Sequence, residues 1–506
     1  MLSWPSPNLS ERLAGRWVSV IMLLGTLTRA YGLFDHWKTN DHYNHGGVMI
    51  HVWLRCLRSV PFDISWGRLM GICEPDQVEI YRNHSPLFMW PLWGLSYLLG
   101  EAEWVARSYY IFFSMCNVFL VYRIARLIWP DRPLNWVLAT FFQSFFLSGM
   151  YFGSHPENIS EITLTFMLVS AYLTLTNRLV SAALICIVAG MTSWVGYFQF
   201  APLLLYAWAT QKGLRRIIGV TFAGVAVCAL QMAYLRGTFN FWDFVHYKLT
   251  NPEYVRPKSS IDTYTLPFRF VENFFKSHSR LLGPLFATLG FYELFFGSAR
   301  KLWTIKRQKL SELPLDIWAI VLCGFGGLTY LIPGHKYAMV HIFNYVFLMP
   351  MWALLCTRVF GALFGSVSNE SHAANGAFKV LSRRKPLFVL AAVFLALYPY
   401  GIYQSSFAHD VANSLMLSTA LIAFLVFAFK AKLTRKALTS LAAFAAFANF
   451  SQVMNYRNEA DTEYPFCVKA REEYSRTGQP VETTERMTMA KRLLYCRGVP
   501  IIYKNQ

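Results

Sequence analysis

The sequence predicts an all-α, polytopic membrane protein of about 13 transmembrane helices, with juxtamembrane helices in its first extracytoplasmic loop. Three observations predict it. The 506 residues are 55% hydrophobic and only 15% charged, more apolar material than one soluble core absorbs. The excess falls in repeated runs of about 17 to 22 residues, the length that crosses a bilayer as helix. Lysines and arginines gather in short turns between these runs, as they do on the cytoplasmic side of a membrane.

Helix 1 covers 15–33 and starts beside Arg12 and Arg16, which places the N-terminus inside and the segment 34–103 outside. It lacks a small-residue cleavage site and precedes many further spans, so it reads as a retained helix. Within 34–103 the stretch 86–100 is apolar but only about 15 residues, or about 22 Å of helix, against a hydrocarbon core of about 30 Å. It is therefore expected to lie at the interface. Were it to span, the turns containing Lys212, Arg215 and Arg216, Lys301 to Lys309, Arg383 to Lys385 and Lys430 to Lys436 would all fall outside, against the positive-inside rule. The remaining spans are 104–128, 134–152, 158–177, 180–195, 198–211, 217–235, 281–298, 315–333, 338–359, 387–405, 412–429 and 436–452. Together they make a transmembrane domain over 1–452, interrupted outside by a large loop at 236–280 and inside by a Ser/Asn/Ala-rich linker at 362–386. A polar outside tail, 453–506, carries a short run around 487–495 that suits one amphipathic helix.

The formal charge of +19 does not point to nucleic acid, because membrane orientation accounts for many of the basic residues. No G-x-x-x-x-G-K-[ST] element and no dinucleotide fingerprint is present.

Ionisable residues concentrate just outside the spans on one predicted face. Asp41 and His42 follow helix 1 within Asp41-His42-Tyr43-Asn44-His45, where a carboxylate can take the proton of an incoming hydroxyl. Arg82 and His84 lead into the interfacial helix, with Pro86 suited to its first turn. His155 and Glu157 precede the fourth span, and Glu161 lies one helical turn beyond Glu157 on the same face. Glu161 falls inside the predicted span, a costly position unless it meets a partner or cavity. Glu157 is also a candidate ligand for a divalent cation, the one cofactor these residues suggest. His335, Lys336 and Tyr337 sit at the mouth of the tenth span, where positive charge can neutralise a phosphate leaving group. The outside loop 236–280 is basic, with Arg256, Lys258 and Arg269 among its charges, so an anionic ligand or lipid headgroup is expected there.

The long first outside loop with its acidic residue, the His84-Ser85-Pro86-Leu87 approach to an interfacial helix, Leu99-Gly100 followed by Arg107, and the acidic turn after the third helix resemble the C-type glycosyltransferase superfamily. The likeness is to the branch of protein O-mannosyltransferases and lipid A aminoarabinose transferases, and covers roughly residues 15–360. It implies a helical bundle that takes sugar from a polyprenyl-phosphate carrier at its periplasmic or lumenal face. Asp41 matches the family's first-loop acid, implied to act as base or to orient the acceptor, and Glu157 its second acidic position. His84 and Pro86 match the motif that opens the juxtamembrane helix, and Lys336 a basic residue that engages the lipid-linked phosphate. The sequence departs from the pattern at Asp41-His42, where mannosyltransferases often carry an acidic pair, and at Glu157, where many members have aspartate.

The resemblance implies inverting transfer from a polyprenyl-phosphate-sugar donor to a hydroxyl on a glycan, lipid or protein. The expected location is an envelope membrane, the bacterial inner membrane ahead of the endoplasmic reticulum, in contact with membrane lipids. The rival class is a transporter or flippase for an anionic lipid or solute, which would also want outward basic residues. Of nine cysteines, Cys116, Cys186, Cys228, Cys323 and Cys356 fall in spans, while Cys56, Cys73, Cys467 and Cys496 fall outside, where oxidation is allowed. Those four allow three pairings, Cys56–Cys73 with Cys467–Cys496 among them.

Overall fold

The computed structural model describes residues 9–35, 45–74, 77–80, 85–153, 160–236, 274–275, 277–278, 281–298, 310–331, 342–368, 435–458, 463–483, 496 and 499–503. The predicted spans 387–405 and 412–429, and most of 236–280 and 362–386, lie outside the described residues.

Helix α1 (Glu11–Ala30) opens on Ser10, whose hydroxyl accepts from the Leu13 amide and so satisfies one of the donors a helix start leaves bare. Helix α5 (Glu103–Ile128) has 26 residues, about 39 Å of helix, enough to cross a bilayer with turns to spare. The two run antiparallel. Glu11 faces Arg126 at one end, and Arg107 Nη2 donates to the Asp35 carbonyl, just past α1, at the other (3.2 Å).

The predicted third helix is broken. It forms α6 (Pro133–Phe145) and α7 (Leu147–Phe152), separated by an extended Phe146 (φ −61°, ψ 139°). A helix end at membrane depth exposes carbonyls that no water can satisfy. Two distant side chains meet this need: Arg29 Nη1 donates to Ser144 O (3.1 Å) and Asn449 Nδ2 to Phe145 O (2.9 Å).

Helices α8 (Ser160–Leu175) and α9 (Leu179–Thr192) pack side by side. The next corner is tighter than expected. A short α10 (Trp194–Tyr197) turns the chain into α11 (Phe200–Thr210), and any Cβ on Gly196 would strike the backbone of Ala189. Helices α9 and α11, at 14 and 11 residues, are only about 21 and 17 Å long, short of the hydrocarbon thickness. The expected spans 180–195 and 198–211 are thus met by the two short helices α9 and α11, with α10 at the corner between them. Helix α12 (Leu214–Arg236) follows.

Helix Pro284–Tyr292 passes into a more widely wound turn, Glu293–Ser298, and helix Leu315–Leu331 comes next. The expected span 338–359 is shifted: a 3-10 stretch, Ile342–Leu348, leads into a helix over Met349–Ser368. Pro350 fits the first turn of that helix because it has no amide hydrogen to donate. Phe360, Leu363 and Phe364 are buried and extend the apolar face beyond 359, into the predicted linker. Helix Arg435–Asn458 completes the described bundle.

Four described helices are long and apolar enough to cross a membrane, Glu103–Ile128, Leu214–Leu235, Tyr345–Phe364 and Ala437–Met454, with shorter apolar helices among them. The chain is an integral membrane protein built largely of helices.

A second core caps one end. The first loop holds α2 (His45–Ser59), α3 (Phe62–Ser65) and a small antiparallel hairpin, β1 (Met70–Glu74) with β2 (Gln77–Ile80). A 3-10 turn at Pro86–Phe88 precedes α4 (Trp90–Leu99). Leu92 is buried while Leu98 is 81% exposed, so α4 turns apolar surface both to the protein and away from it, as a helix lying at the interface does. In the tail, helix Glu463–Thr477 joins β3 (Val481–Thr483) and β4 (Ile501–Tyr503), which pair in parallel. Two small sheets thus modify the all-α expectation, and the predicted helix near 487–495 lies outside the described residues. Cys467, Ala470, Val481, Val499 and Ile501 share one core with Val48, Trp53, Leu54, Phe88, Met89 and Tyr109. Tail and first loop therefore occupy the same end of the bundle. The disulfides Cys56–Cys73 and Cys467–Cys496 both lie in this layer.

Candidate active site

The sequence candidates Asp41, His42, Arg82, His84, His155, Glu157, Arg256, Lys258, Arg269, His335, Lys336 and Tyr337 lie outside the described residues. Glu161 is described, and its surroundings define the site. It stands in the first turn of α8, 4% exposed. A buried carboxylate needs donors. Asn117 supplies them, donating from Nδ2 to Glu161 Oε2 at 2.6 Å and to the Glu161 carbonyl at 3.1 Å. Thr165, one turn along α8, donates to Asn117 Oδ1 at 2.7 Å and fixes the amide's orientation.

Asn117 belongs to a polar stripe on α5. Arg107, Tyr110, Ser114 and Asn117 follow one another at intervals of three, four and three, which sets them on one face. All four are buried. Ser114 takes the Nε–H of Arg29 at 2.9 Å.

Arg29 is the residue the sequence reading missed. It lies within the first predicted span, where an arginine costs about 2.5–3.5 kcal/mol or more unless it is compensated; that cost was the available signal. The guanidinium is 1% exposed. It donates to Ser114 Oγ, Gly25 O and Ser144 O, from three helices. It also attracts the Glu161 charge electrostatically. Glycines make room for it: a Cβ on Gly149 would stand 3.1 Å from Arg29 Nη2, and one on Gly153 would stand 2.8 Å from Nε. Arg29 thus touches α5, α6 and the end of α7, and acts on the start of α8.

Among the described residues no group of three or more His, Cys, Asp and Glu could hold a metal ion. Glu161 is already engaged by an amide, while Glu157 lies outside the described residues.

No family model matches this chain, and no curated protein does. Solved structures do. ArnT from Cupriavidus metallidurans in the apo state has a TM-score of 0.56 at 14% identity, covering 97% of this chain and 86% of that one. The same protein bound to undecaprenyl phosphate has a TM-score of 0.52 at 15% identity, with equal coverage. The Archaeoglobus fulgidus oligosaccharyltransferase in its apo form has a TM-score of 0.52 at 11% identity, covering 96% of this chain and 64% of that chain. This chain shares its fold with ArnT and with the oligosaccharyltransferase. The resemblance seen in the sequence is thereby met at the level of the fold. In this bundle the buried network of Arg29, Ser114, Asn117 and Glu161 involves described residues on both sides of 154–159 in the sequence, Gly153 before and Glu161 after.

Proposed function

We propose that the protein is an inverting glycosyltransferase that moves a sugar from a polyprenyl-phosphate donor to a hydroxyl acceptor at the extracytoplasmic face of a membrane. The observation that carries this reading is the buried Arg29–Ser114 and Asn117–Glu161 network, in a chain that shares its fold with ArnT bound to undecaprenyl phosphate. A membrane-soluble donor also suits a chain without nucleotide-binding motifs.

In this mechanism the acceptor oxygen attacks the anomeric carbon while the bond from that carbon to the phosphate oxygen breaks. Asp41 takes the hydroxyl proton, and polyprenyl phosphate leaves with the bonding electron pair. Lys336 and His335, with Arg256, Lys258 and Arg269 of the long loop, are assigned to the leaving phosphate, and Tyr337 to the same mouth. His42, Arg82, His84 and His155 are assigned to sugar and acceptor hydroxyls, and Glu157 to the acceptor or to a divalent cation. The acceptor is a glycan, a lipid or a protein. Two disulfides in the layer shared by the first loop and the tail favour an oxidising compartment on that side, and we assign the protein to the bacterial inner membrane with its site facing the periplasm.

The test is release of polyprenyl phosphate by purified protein in nanodiscs, over a panel of polyprenyl-phosphate sugars and candidate acceptors. Turnover of one donor that falls at least about 100-fold in Asp41→Asn supports the reading. No turnover of any donor, with binding of the lipid retained, shifts the reading to a transporter of the anionic lipid. Chelation in the same assay decides whether a divalent cation takes part.

A further inference from the structure

The first loop displays three bulky aromatic side chains that stay largely uncovered. Phe62 in α3 is 63% exposed, Trp66 just past it 61% and Trp90 at the start of α4 40%. They stand together. A Cβ on Gly67 would lie 3.3 Å from both the Phe62 ring and Trp90 Nε1, and that indole N–H donates to the Gly67 carbonyl (3.1 Å). Large apolar side chains grouped at a surface mark a place that meets another phase or partner. Trp66 carries a further cost. Its backbone has φ 49° and ψ 33°, the left-handed conformation that suits glycine or asparagine and that a bulky residue adopts only under constraint. An indole kept at such a position and turned outward is not accounted for by packing within the chain.

The place of these rings in the bundle says what meets them. Tyr234 Oη donates to the Trp66 carbonyl, and Tyr234 lies in the last turn of α12. The apolar length of that helix, Leu214–Leu235, is 22 residues, about 33 Å against a hydrocarbon core of about 30 Å, which puts Tyr234 at the membrane boundary. Helix α12 exposes Ile218, Phe222, Val225 and Leu230 along its length, as a helix at the lipid edge of a bundle does. The three rings thus adjoin lipid-facing surface at headgroup level, where the apolar body and the N–H of tryptophan are both accommodated. Arg68, in the same turn, donates from Nε to Ser65 O (3.1 Å) and brings positive charge to the level of lipid phosphates.

We propose that Phe62, Trp66 and Trp90 form a wedge seated at the headgroup–acyl boundary of the leaflet on the first-loop side, so that bilayer phospholipid covers them and holds the first loop to the membrane. This does not depend on the glycosyltransferase reading.

The experiment places photoreactive benzoylphenylalanine at position 66 of the full chain in nanodiscs of one synthetic phosphatidylcholine, and reads adducts by intact-protein mass after irradiation. Position 222, on the exposed face of α12, is the positive control, and position 479, exposed in the tail, the negative one. The expected result is an adduct of the phospholipid's mass at 66, at a yield comparable with 222, and none at 479. A second readout leaves the backbone conformation favourable: Trp66→Asn removes the indole, while asparagine tolerates the left-handed region. The amides of Ser65 and Arg68 donate to the Pro61 and Ser65 carbonyls, and their hydrogen exchange in nanodiscs is expected to quicken about tenfold in the variant, with α5 unchanged. No adduct at 66 while 222 is labelled, an adduct of any other mass at 66, or equal labelling at 479 overturns the proposal. So does exchange in Trp66→Asn equal to or slower than wild type, the result for an indole without a lipid partner whose backbone strain has been relieved.

Discussion

Asn117 holds Glu161 twice, through its side-chain oxygen at 2.6 Å and through its backbone carbonyl at 3.1 Å, both from the same Nδ2. One amide therefore fixes where α8 begins against α5. Its own oxygen is occupied by Thr165, so the asparagine has little freedom to turn over and offer the carboxylate an acceptor instead of a donor.

Replacing that amide with a shape-matched apolar group tests the arrangement. Asn117→Leu leaves Glu161 buried without this donor and is expected to cost about 1–3 kcal/mol in stability. Adding Glu161→Leu is expected to recover part of the loss, with a coupling of about 0.5–3 kcal/mol between the two sites. Unfolding in detergent of the two single variants and the double gives the answer; strictly additive losses would mean that the pair does not act as a unit.

Gly153→Ala and Gly15→Ala form a matched pair. A Cβ on Gly153 collides with Gly149 O and Ser114 Oγ, whereas one on Gly15 in α1 meets nothing within 4 Å. The first change is expected to destabilise by about 1–3 kcal/mol through overpacking. The second is expected to be neutral or to stabilise by about 0.5–1 kcal/mol, because alanine is the better helix former. Thermal unfolding of both variants checks the difference in sign.

The tail depends on its disulfide more than the bundle does. Removing Cys467–Cys496, which spans 29 residues, is expected to cost the cap about 3–4 kcal/mol. In the Cys467→Ser, Cys496→Ser double variant, amide hydrogen exchange should quicken at Val481–Thr483 and Ile501–Tyr503 while α5 stays protected. Uniform quickening across both regions would instead mean that cap and bundle unfold together.

His278 predicts how stability responds to acid. Burial among the rings of Phe274, Phe291, Tyr345 and Trp352 pushes its imidazole down to about 3, opposed by its hydrogen bond to the Phe274 carbonyl. In the unfolded chain it titrates near about 6.5. Between these values the unfolded chain binds a proton that the folded chain refuses, so stability is lost as pH falls below about 6.5. His278→Phe is expected to reduce the loss between pH 7 and 5 by about 1–2 kcal/mol. Unfolding measured at both pH values in wild type and variant checks it, and an unchanged slope would remove His278 from the acid response.

Much of the architecture is written in local pattern. The apolar run 104–128 became α5, 217–235 became most of α12, and 86–100 became a short helix with an outward apolar face, because length and hydropathy alone decide whether a segment can cross a bilayer. The corner at Gly196 fell between the expected spans 180–195 and 198–211, but the helix break at Phe146 was not legible. Phe146 carries no Pro or Gly signal, and its break persists because Arg29 and Asn449 supply donors from segments 115 and 304 residues away. The strands in the first loop and tail were missed for a related reason. They are three to five residues long; Met70 of β1 is buried against Val52 and Cys56 of α2, and Val481 and Ile501 of the tail strands are buried only because the tail meets the first loop.

The sequence by itself determined that this chain lives in a membrane, which segments are apolar enough to do so, and that Glu161 needed a partner, since each follows from transfer of side chains and peptide groups out of water. Only the tertiary structure decided that the partners are Asn117 and Arg29, and that the tail closes over the first loop. Contacts such as Arg29 to Ser114, 85 residues apart, depend on how helices cross. That is set by packing at glycines such as Gly25, Gly149 and Gly153, which no local pattern records.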